Sequence, residues 1–305
     1  MLDRPHAVVV HNPAAGKALK RSRQFESALA VLRGAGWLLD VATTSGEGDA
    51  ERLAREAANG NSDVVVAAGG DGTINEVLQG VAGRGVCLAS LPLGTVNVWS
   101  REVGFSSDPV RAATELTTAR RITVDLGRAD GRYFLLMAGV GLDAEVAATL
   151  GAGKTRKQRF GVLPYVVRAA RILPRYTGAA IEMEMDGNSR SHDALMILVS
   201  NTRLYGGIAR PSPSAVANDG LLDVRVFHGR KPTDALKSLR PFLRGASQDG
   251  ATDEVRARRV VVKAEPPLAV QVDGDPIGLT PVVIEACPRA LDVLIPAHHN
   301  SSLFD

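Results

Sequence analysis

The feature that most constrains the fold of this chain is a buried apolar run that ends in a glycine-rich turn. Val64–Ala67 is continuously apolar, which is typical of a strand covered on both faces of a parallel sheet. The following stretch, Gly69–Glu76, places three glycines around Asp71, so the backbone can turn tightly and approach a ligand closely. Free N–H groups in such a turn, backed by a helix N-terminus, attract anions. Because a lone carboxylate would repel phosphate, Asp71 indicates an anion that arrives with a metal. The stretch therefore predicts a site for a nucleotide polyphosphate and Mg²⁺.

Length and composition bound the class of protein. The chain has 305 residues, which favours two domains over one. A hydrophobic fraction of 45% and a charged fraction of 23% are typical of a soluble globular protein, and a net charge of +3 implies no general affinity for nucleic acid. Cys87 and Cys287 show no disulfide or zinc spacing, so we expect a reducing compartment, the cytoplasm. The first residues resemble neither a signal peptide nor a membrane span, so we expect any membrane contact to be peripheral, at the inner face.

The first part of the chain alternates apolar runs with amphipathic stretches. The predicted strands are Ala7–Val10, Trp37–Ala42, Asp63–Ala67, Val86–Leu91 and Ile122–Leu126, and the predicted helices are Arg21–Leu32, Asp49–Ala58, Ile74–Val81 and Pro109–Thr117. This alternation predicts an α/β domain over residues 1–128, with a parallel sheet that carries helices on both faces. Ligands of such sheets bind at the carboxyl ends of the strands.

The second part, residues 129–305, consists of short β-like runs separated by glycine and proline. Ile181–Asp186 alternates strictly between apolar and polar residues, so one face of that strand should be buried. The other predicted strands are Tyr133–Met137, Ala194–Val199, Leu222–Phe227, Val260–Val262, Leu268–Val272, Val282–Glu285 and Leu291–Ile295. We predict an antiparallel β-sandwich domain, whose last residues can return to the first domain.

Polar motifs follow several strands of the predicted parallel sheet. Asn12 and Lys17 follow the first strand, where they either approach phosphate or simply cap a helix and carry a surface charge. Thr44 follows the second strand and either faces a nucleotide or belongs to a helix cap. Gly94–Asn97 forms a second glycine turn, which suits phosphate and sugar contacts but also occurs as a structural turn.

Taken in order, these motifs resemble the diacylglycerol kinase catalytic-domain family, in particular its bacterial soluble lipid kinases, which are related to sphingosine and ceramide kinases. The glycine motif alone is shared with NAD kinases and phosphofructokinases, whereas the later motifs are specific to lipid kinases. The resemblance covers almost the whole chain. The motifs that carry it are Asn12-Pro13…Gly16-Lys17, Gly69–Glu76, Pro92-x-Gly94-Thr95-x-Asn97, Asn201…Tyr205-Gly206-Gly207, Asp219-Gly220-x-Leu222-Asp223 and Asp273-Gly274-Asp275.

The resemblance implies ATP-dependent phosphorylation of a lipid hydroxyl. It places Mg²⁺ at Asp219, assisted by the carbonyl groups of Val216 and Leu221, in a role thought to be structural. It places Asp125 in the active-site network and the proposed base in the motif that contains Asp273 and Asp275. Together with the strand-end motifs, the predicted nucleotide-binding residues are Asn12, Lys17, Thr44, Gly69, Gly70, Asp71, Gly72, Thr73, Ile74, Asn75, Glu76, Gly94, Thr95 and Asn97.

Phosphoryl transfer to an alcohol explains why carboxylates are needed. An alcohol is a poor nucleophile, so a carboxylate within hydrogen-bond reach must take its proton. Phosphoryl transfer otherwise depends on the positioning of the reactants and on the neutralisation of the phosphate charge. We predict Asp71, Asp125, Asp273 and Asp275 as catalytic residues. For Asp273 an ordinary Asp-Gly hairpin turn is the alternative.

Two residues depart from the pattern of the family. Val98 stands where many members carry an aspartate, and Asp275 replaces the glutamate of an Asp-Gly-Glu motif.

The segment 154–175 is basic and apolar. Seven lysines and arginines and no acidic residue lie between Glu145 and Glu182. We predict a helix that rests on an anionic bilayer and presents a lipid substrate; a core-packed helix with a solvated basic edge is the alternative. Nucleic acid is not expected as a partner, because the basic run contains no recognisable binding motif. The oligomeric state is left open, with a homodimer as one option.

Three hypotheses for the function follow. The leading one is an ATP- and Mg²⁺-dependent kinase that acts on diacylglycerol or a related lipid alcohol. A kinase of a soluble substrate such as NAD shares the glycine motif, but the segment 154–175 and the Asp219-Gly220 region argue against it. A nucleotide-binding regulator without catalysis is kept open by Val98 and Asp275.

Overall fold

A computed structural model describes residues 4–15, 18–151, 163–207, 209–231, 233–234, 252–299 and 302–304. The chain forms two compact units. The N-terminal unit contains Met1–Val124 and Arg289–Ser302, and the C-terminal unit contains Asp125–Pro288 and Leu303–Asp305. Among the described residues, no helix combines the length and the apolar character that crossing a bilayer requires.

Strands and helices alternate in the N-terminal unit. The elements are β1 (His6–His11), α1 (Ala18–Gly34), β2 (Leu38–Thr43), α2 (Asp49–Asn59), β3 (Val64–Gly69), α3 (Asp71–Val81), β4 (Cys87–Pro92), α4 (Val98–Glu102), α5 (Pro109–Thr117) and the beginning of β5 (Arg120–Ala129). The strands pair in parallel in the order β2–β1–β3–β4, with Val9 opposite both Val41 and Val66. Every residue of β3 and β4 is buried, as expected for strands covered on both faces.

The helices of this unit pack in pairs, α1 with α5 and α2 with α3. The start of α5 is fixed by Asp108, whose Oδ1 accepts hydrogen bonds from the N–H groups of Val110 (3.0 Å) and Arg111 (3.1 Å). The start of α2 is held by α3, because Oε2 of Glu76 accepts from the N–H groups of Gly48 and Ala50, each at 3.1 Å.

The C-terminal unit is mainly antiparallel. Its elements are β6 (Arg132–Phe134), β7 (Met137–Gly141), α6 (Leu142–Gly151), α7 (Leu163–Ile172), a short 3-10 turn (Leu173–Arg175), β8 (Ala179–Met185), β9 (Asn188–Ser200), β10 (Leu222–His228), β11 (Thr252–Ala257), β12 (Arg259–Glu265), β13 (Ala269–Val272), β14 (Asp275–Leu279) and β15 (Val282–Ile295). Antiparallel pairs connect β14–β13–β7–β9–β8–β12–β15, and β9 also pairs with β10, which pairs with β11.

The core of this unit confirms the predicted alternation in β8. Ile181, Met183 and Met185 are buried, and the residues between them point away from the core. The buried cluster also contains Val224 and Val226 of β10, which form one face of their strand. The predicted fold class, an α/β domain followed by an antiparallel β-sandwich domain, is confirmed.

The prediction of two separate strands over Val282–Glu285 and Leu291–Ile295 is wrong. Both belong to β15, which continues through Pro288 and through Arg289, whose φ is +52°. The strand changes partner on the way, since Val282–Glu285 pairs antiparallel with β12, and Asp292 and Val293 pair parallel with β4.

Candidate functional site

Two glycine turns interlock in the N-terminal unit. The carbonyl group of Gly69, at the end of β3, accepts hydrogen bonds from the N–H groups of Leu93 (2.9 Å) and Gly94 (3.0 Å), which follow β4. A Cβ atom on Gly94 would lie 2.5 Å from Cα of Gly70, and one on Gly69 would lie 2.5 Å from Cβ of Thr73. Both positions therefore need glycine, Gly69 to leave room for Thr73 and Gly94 to let the second turn pack against Gly70 of the first.

Asn97 and Asn12 complete this arrangement. Asn97 adopts a φ of +53°, and its side chain closes the second turn: Oδ1 accepts from Gly94 N–H (3.1 Å) and Nδ2 donates to the Gly94 carbonyl (3.0 Å). Asn12, after β1, donates from Nδ2 to Oγ1 of Thr73 at 3.0 Å. The Thr73 hydroxyl therefore keeps its own proton for another acceptor. The structure thus brings together Asn12, the first glycine turn and the second.

Asp71 begins α3 and ties the two turns together. Its Oδ1 accepts a hydrogen bond from the N–H group of Val98 at 2.6 Å. Burial raises the pKa of Asp71, and the amides of Val98 and its two neighbours oppose that rise because they favour the ionised carboxylate. In this structure the Asp71 carboxylate is an acceptor for backbone amides at the start of α4.

The remaining residues predicted for nucleotide binding have different surroundings. Thr95 is exposed, and nothing lies within 4 Å of the position that a Cβ on Gly72 would take. Ile74 and Asn75 are buried within α3, and the Glu76 carboxylate caps α2. Thr44 lies beside β1, because its N–H group donates to the carbonyl group of His11 at 2.9 Å. Lys17, also predicted to bind phosphate, lies outside the described residues, as does Gly16.

In the C-terminal unit, Asp273 is held by backbone amides. It lies in the turn between β13 and β14 and has a φ of +47°. Its Oδ2 accepts from the N–H group of Leu135 (2.8 Å), and its Oδ1 accepts from those of Leu136 (3.0 Å) and Met137 (2.9 Å). Burial raises the pKa of Asp273 to about 7, and these three hydrogen bonds act against that rise.

Asp275 is more accessible. It begins β14, its side chain is 46% exposed, and its Oδ2 lies 3.9 Å from Nη2 of Arg132. An accessible carboxylate can meet a substrate. Asp273 and Asp275 therefore differ in what they can do, although one residue separates them.

Asp125 and Asp219 also bind backbone amides. Asp125 is fully buried and accepts from the N–H group of Gly220 at 2.6 Å, while Oδ1 of Asp219 accepts from that of Leu221 at 3.0 Å. Oδ2 of Asp219 lies 3.4 Å from Nη1 of Arg256.

This environment is a weak fit to the predicted magnesium site at Val216, Asp219 and Leu221. Among the described residues, no group of three or more His, Cys, Asp and Glu side chains could hold a metal ion. Arg256 already balances the charge of the one carboxylate, whereas Mg²⁺ prefers oxygen ligands in a near-octahedral arrangement.

Two buried side chains near the 273–275 turn, Asp143 and Gln271, were not predicted as site residues, and neither was the half-buried Tyr205, although Tyr205 belongs to one of the motifs of the resemblance. Tyr205 and Gln271 both donate hydrogen bonds to Asp143, in the first turn of α6. A signal was present, because Asp143 follows the glycines Gly139 and Gly141 directly after a strand. That pattern alone does not reveal its partners, which are far away in sequence.

The comparisons with known proteins agree with the fold and the motifs. Residues 6–129 match the family model for the diacylglycerol kinase catalytic domain, and residues 137–295 match that for the YegS C-terminal NAD kinase beta sandwich-like domain. The chain is 32% identical over 299 residues to a probable lipid kinase YegS-like of Pseudomonas putida, covering 97% of each chain. It is 28% identical over 303 residues to a diacylglycerol kinase of Bacillus subtilis, covering 98% of this chain and 99% of that protein.

A solved structure shows the same fold. The crystal structure of a diacylglycerol kinase from Bacillus anthracis superposes with a TM-score of 0.78 at 22% identity and covers 98% of this chain and 100% of that one. The two family models and the relatives together show that the chain belongs to the diacylglycerol kinase family. The predicted enzyme class, a kinase that phosphorylates an alcohol group, is confirmed.

Proposed function

We propose that this protein is a lipid kinase that transfers the γ-phosphate of ATP to the hydroxyl group of diacylglycerol or a related lipid alcohol. The observation that carries the proposal is the pair of interlocked glycine turns after β3 and β4, in a chain of the diacylglycerol kinase family. The names of two relatives, a diacylglycerol kinase and a probable lipid kinase, support a lipid as the acceptor.

The N-terminal unit binds the nucleotide in this proposal. The N–H groups at the start of α3 and the hydroxyls of Thr73 and Thr95 donate to phosphate oxygens, and the open space beside Gly72 admits the phosphate chain. When bound, ATP supplies the phosphoryl group, with Mg²⁺ as the counter-ion of its phosphates. Asp71 keeps the two glycine turns in place through its bond to Val98 N–H.

The base in this proposal is Asp275. Both oxygens of Asp273 accept backbone hydrogen bonds, and those bonds would be lost if Asp273 took up a proton and turned toward a substrate. Asp275 is partly exposed, and the three amides bind Asp273. It takes the proton of the lipid hydroxyl while the hydroxyl oxygen forms a bond to the γ-phosphorus. The bond from that phosphorus to the β–γ bridging oxygen breaks, and ADP leaves.

The test is transfer of labelled γ-phosphate from ATP to a panel of lipid alcohols, with NAD as a soluble acceptor. Asp275→Asn should lower kcat by about 100-fold or more, because it removes a general base. Glu182→Gln is the matched control, since Glu182 is an exposed carboxylate on β8, and it should leave kcat unchanged. Label on NAD and on none of the lipids would overturn the proposed acceptor. Full activity of Asp275→Asn would overturn the assignment of the base.

We further propose that the segment 154–175 rests on an anionic membrane, which would make the enzyme a peripheral protein of the inner membrane face. Residues 154–162 lie outside the described residues. In the described part, Arg171 and Arg175 are exposed and Val167 is 41% exposed, while Ile172 and Leu173 pack against the buried cluster around α6. An exposed face that is both basic and apolar suits an interfacial helix.

A vesicle flotation assay tests this membrane contact. Binding should increase with the fraction of anionic lipid and weaken with salt. Replacing both Arg171 and Arg175 by Gln should weaken binding by about 30-fold, at about 1 kcal/mol for each charge. Arg190→Gln, on the exposed part of β9, is the control and should have no effect. Equal binding of all variants to neutral and anionic vesicles would contradict the proposal.

A further inference from the structure

We propose that Asp143 is a positioning residue that acts through Gln271 to hold the turn Asp273–Asp275, here called the catalytic turn. The inference rests on the proposed function, because Asp275 is its base. Asp143 acts together with two other side chains. The three residues Tyr205, Asp143 and Gln271 are here called the relay. All belong to the C-terminal unit, as does the catalytic turn.

The relay is a continuous series of hydrogen bonds. Oδ1 of Asp143 accepts a short hydrogen bond from the Tyr205 hydroxyl, and its Oδ2 accepts from Nε2 of Gln271 at 2.6 Å. Oε1 of Gln271 accepts from the N–H group of Gly274 at 2.6 Å. Asp143 is 4% exposed and Gln271 is 3% exposed, so water competes little for these bonds. The relay therefore ends on the central residue of the catalytic turn.

The direction of each hydrogen bond is determined by chemistry. The Gly274 N–H group can only donate, so Gln271 must present its oxygen to it. The amide nitrogen of Gln271 then faces Asp143, and an ionised carboxylate can only accept. The relay therefore needs an acid at position 143 and an amide at position 271.

The fold leaves room for the relay by means of a glycine. Gly139 of β7 lies opposite Gln271 of β13. A Cβ atom on Gly139 would overlap Oδ2 of Asp143 and would lie 2.6 Å from Nε2 of Gln271. The relay thus explains why β7 carries a glycine at a buried position in the sheet.

The catalytic turn needs support because its backbone is unusual. Asp273 has a φ of +47° and Gly274 a φ of +90°, and a left-handed conformation is unfavourable for a residue with a side chain. The amides of residues 135–137 hold Asp273 on one side of the turn, and Gln271 holds Gly274 on the other. Asp275 follows directly, and a displacement of about 1 Å at a reacting group can cost about 100-fold in rate.

Two isosteric substitutions test the relay. Gln271→Glu turns the side chain that faces Asp143 from a donor into an acceptor, so two carboxylates meet at a hydrogen-bond distance. Adding Asp143→Asn restores a donor–acceptor pair, since Asn donates to Glu, Glu accepts from Gly274, and Asn still accepts from Tyr205. We expect Gln271→Glu to lower kcat at least tenfold, and the double variant to recover it to within about threefold of wild type.

The control is Asn188→Asp, which makes the same amide-to-acid change at an exposed position of β9 and should leave kcat unchanged. All assays are run well below the unfolding temperature of each variant, so that a loss of stability alone does not lower kcat. Unchanged kcat in folded Gln271→Glu, or failure of Asp143→Asn to rescue it, would overturn the positioning role.

Hydrogen exchange of the Gly274 amide provides a second readout that needs no activity. Exchange should be faster in Gln271→Glu and return toward the wild-type rate in the double variant. If wild type phosphorylates no lipid but Gly274 exchange follows this pattern, the proposed function fails and the relay stands. If exchange is equal in all variants, the relay is wrong whatever the activity.

Discussion

Replacing either of two glycines of α3 by alanine should change the stability of the N-terminal unit, but in opposite directions. Gly80 packs against α2, whereas Gly72 faces open space. A Cβ atom on Gly80 would lie 2.6 Å from the carbonyl oxygen of Glu51, 2.7 Å from Cβ of Ala54 and 2.7 Å from the nitrogen of Arg55. Two of these three are backbone atoms of α2, so the helices must separate by several tenths of an ångström. We expect a cost at the upper end of overpacking, about 3 kcal/mol, offset by about 1 kcal/mol of helix propensity.

The net effect of Gly80→Ala is thus a loss of about 2 kcal/mol. Gly72→Ala is the matched control, because a Cβ atom there meets nothing within 4 Å, and the higher helix propensity of alanine should stabilise the unit by up to about 1 kcal/mol.

Urea unfolding followed by tryptophan fluorescence measures this difference. The chain contains two tryptophans, Trp37 and Trp99, and both belong to the N-terminal unit, so the signal reports on that unit. With an m-value of about 2 kcal/mol/M, the midpoint of Gly80→Ala should fall by about 1 M, and that of Gly72→Ala should stay or rise. Equal midpoints for the two variants would refute the packing argument.

Three further predictions concern individual residues. Gly94→Ala should reduce ATP affinity measured by calorimetry at least tenfold, because its Cβ atom would meet Gly70; unchanged affinity would contradict the role of the two turns. Burial, together with neighbouring carboxylates, raises the pKa of Asp223 to about 6. The native state therefore holds the proton of Asp223 more tightly than the unfolded state, so the free energy of unfolding should fall as pH rises from about 4 to about 6. Asp223→Asn should remove that fall, by up to about 3 kcal/mol in urea unfolding followed by circular dichroism, which also reports on the C-terminal unit that contains Asp223, and an unchanged pH profile would argue against the shift. Asp108→Ala removes the cap of α5 and should cost about 1 kcal/mol in the same assay, whereas Asp40→Ala, at an exposed position of β2, should cost less.

The centre of the parallel sheet was predictable from the sequence because its strands are short apolar runs. The runs that begin at Ala7 and at Val64 are the central strands β1 and β3, and each carries its polar motif directly after its last residue. The helices α4 and α6 were not predicted. Helix α4 has five residues, too few for a periodic pattern, and α6 carries apolar residues around most of its circumference. Their positions depend on the surrounding sheet.

The glycine turns were also predictable, since their composition indicates close backbone approach. The partners of the carboxylates were not. Asp273 binds amides more than 130 residues earlier in the chain, and Asp143 binds Gln271 at a similar separation. No local pattern encodes such pairs, because they arise only when β7 and β13 become neighbours. The sequence therefore indicated which residue types belong to the site, and the fold determines which of them can exchange a proton.

Two residues, Val98 and Asp275, depart from the family pattern. The contacts of Asp71 and Asp275 indicate whether these departures would remove activity. Asp71 binds the backbone N–H group of residue 98, and this bond does not depend on the side chain there, so Val98 leaves it intact. The Val98 side chain is 6% exposed, so an aspartate in its place would have to bury a charge near Asp71. Asp275 is shorter than a glutamate by one methylene, but it is accessible and stands directly after a turn that two sets of hydrogen bonds hold in place. A turn fixed this firmly can compensate for a shorter side chain, because the position of the carboxylate depends on its backbone. We therefore infer that neither departure favours a regulator without catalysis over a kinase.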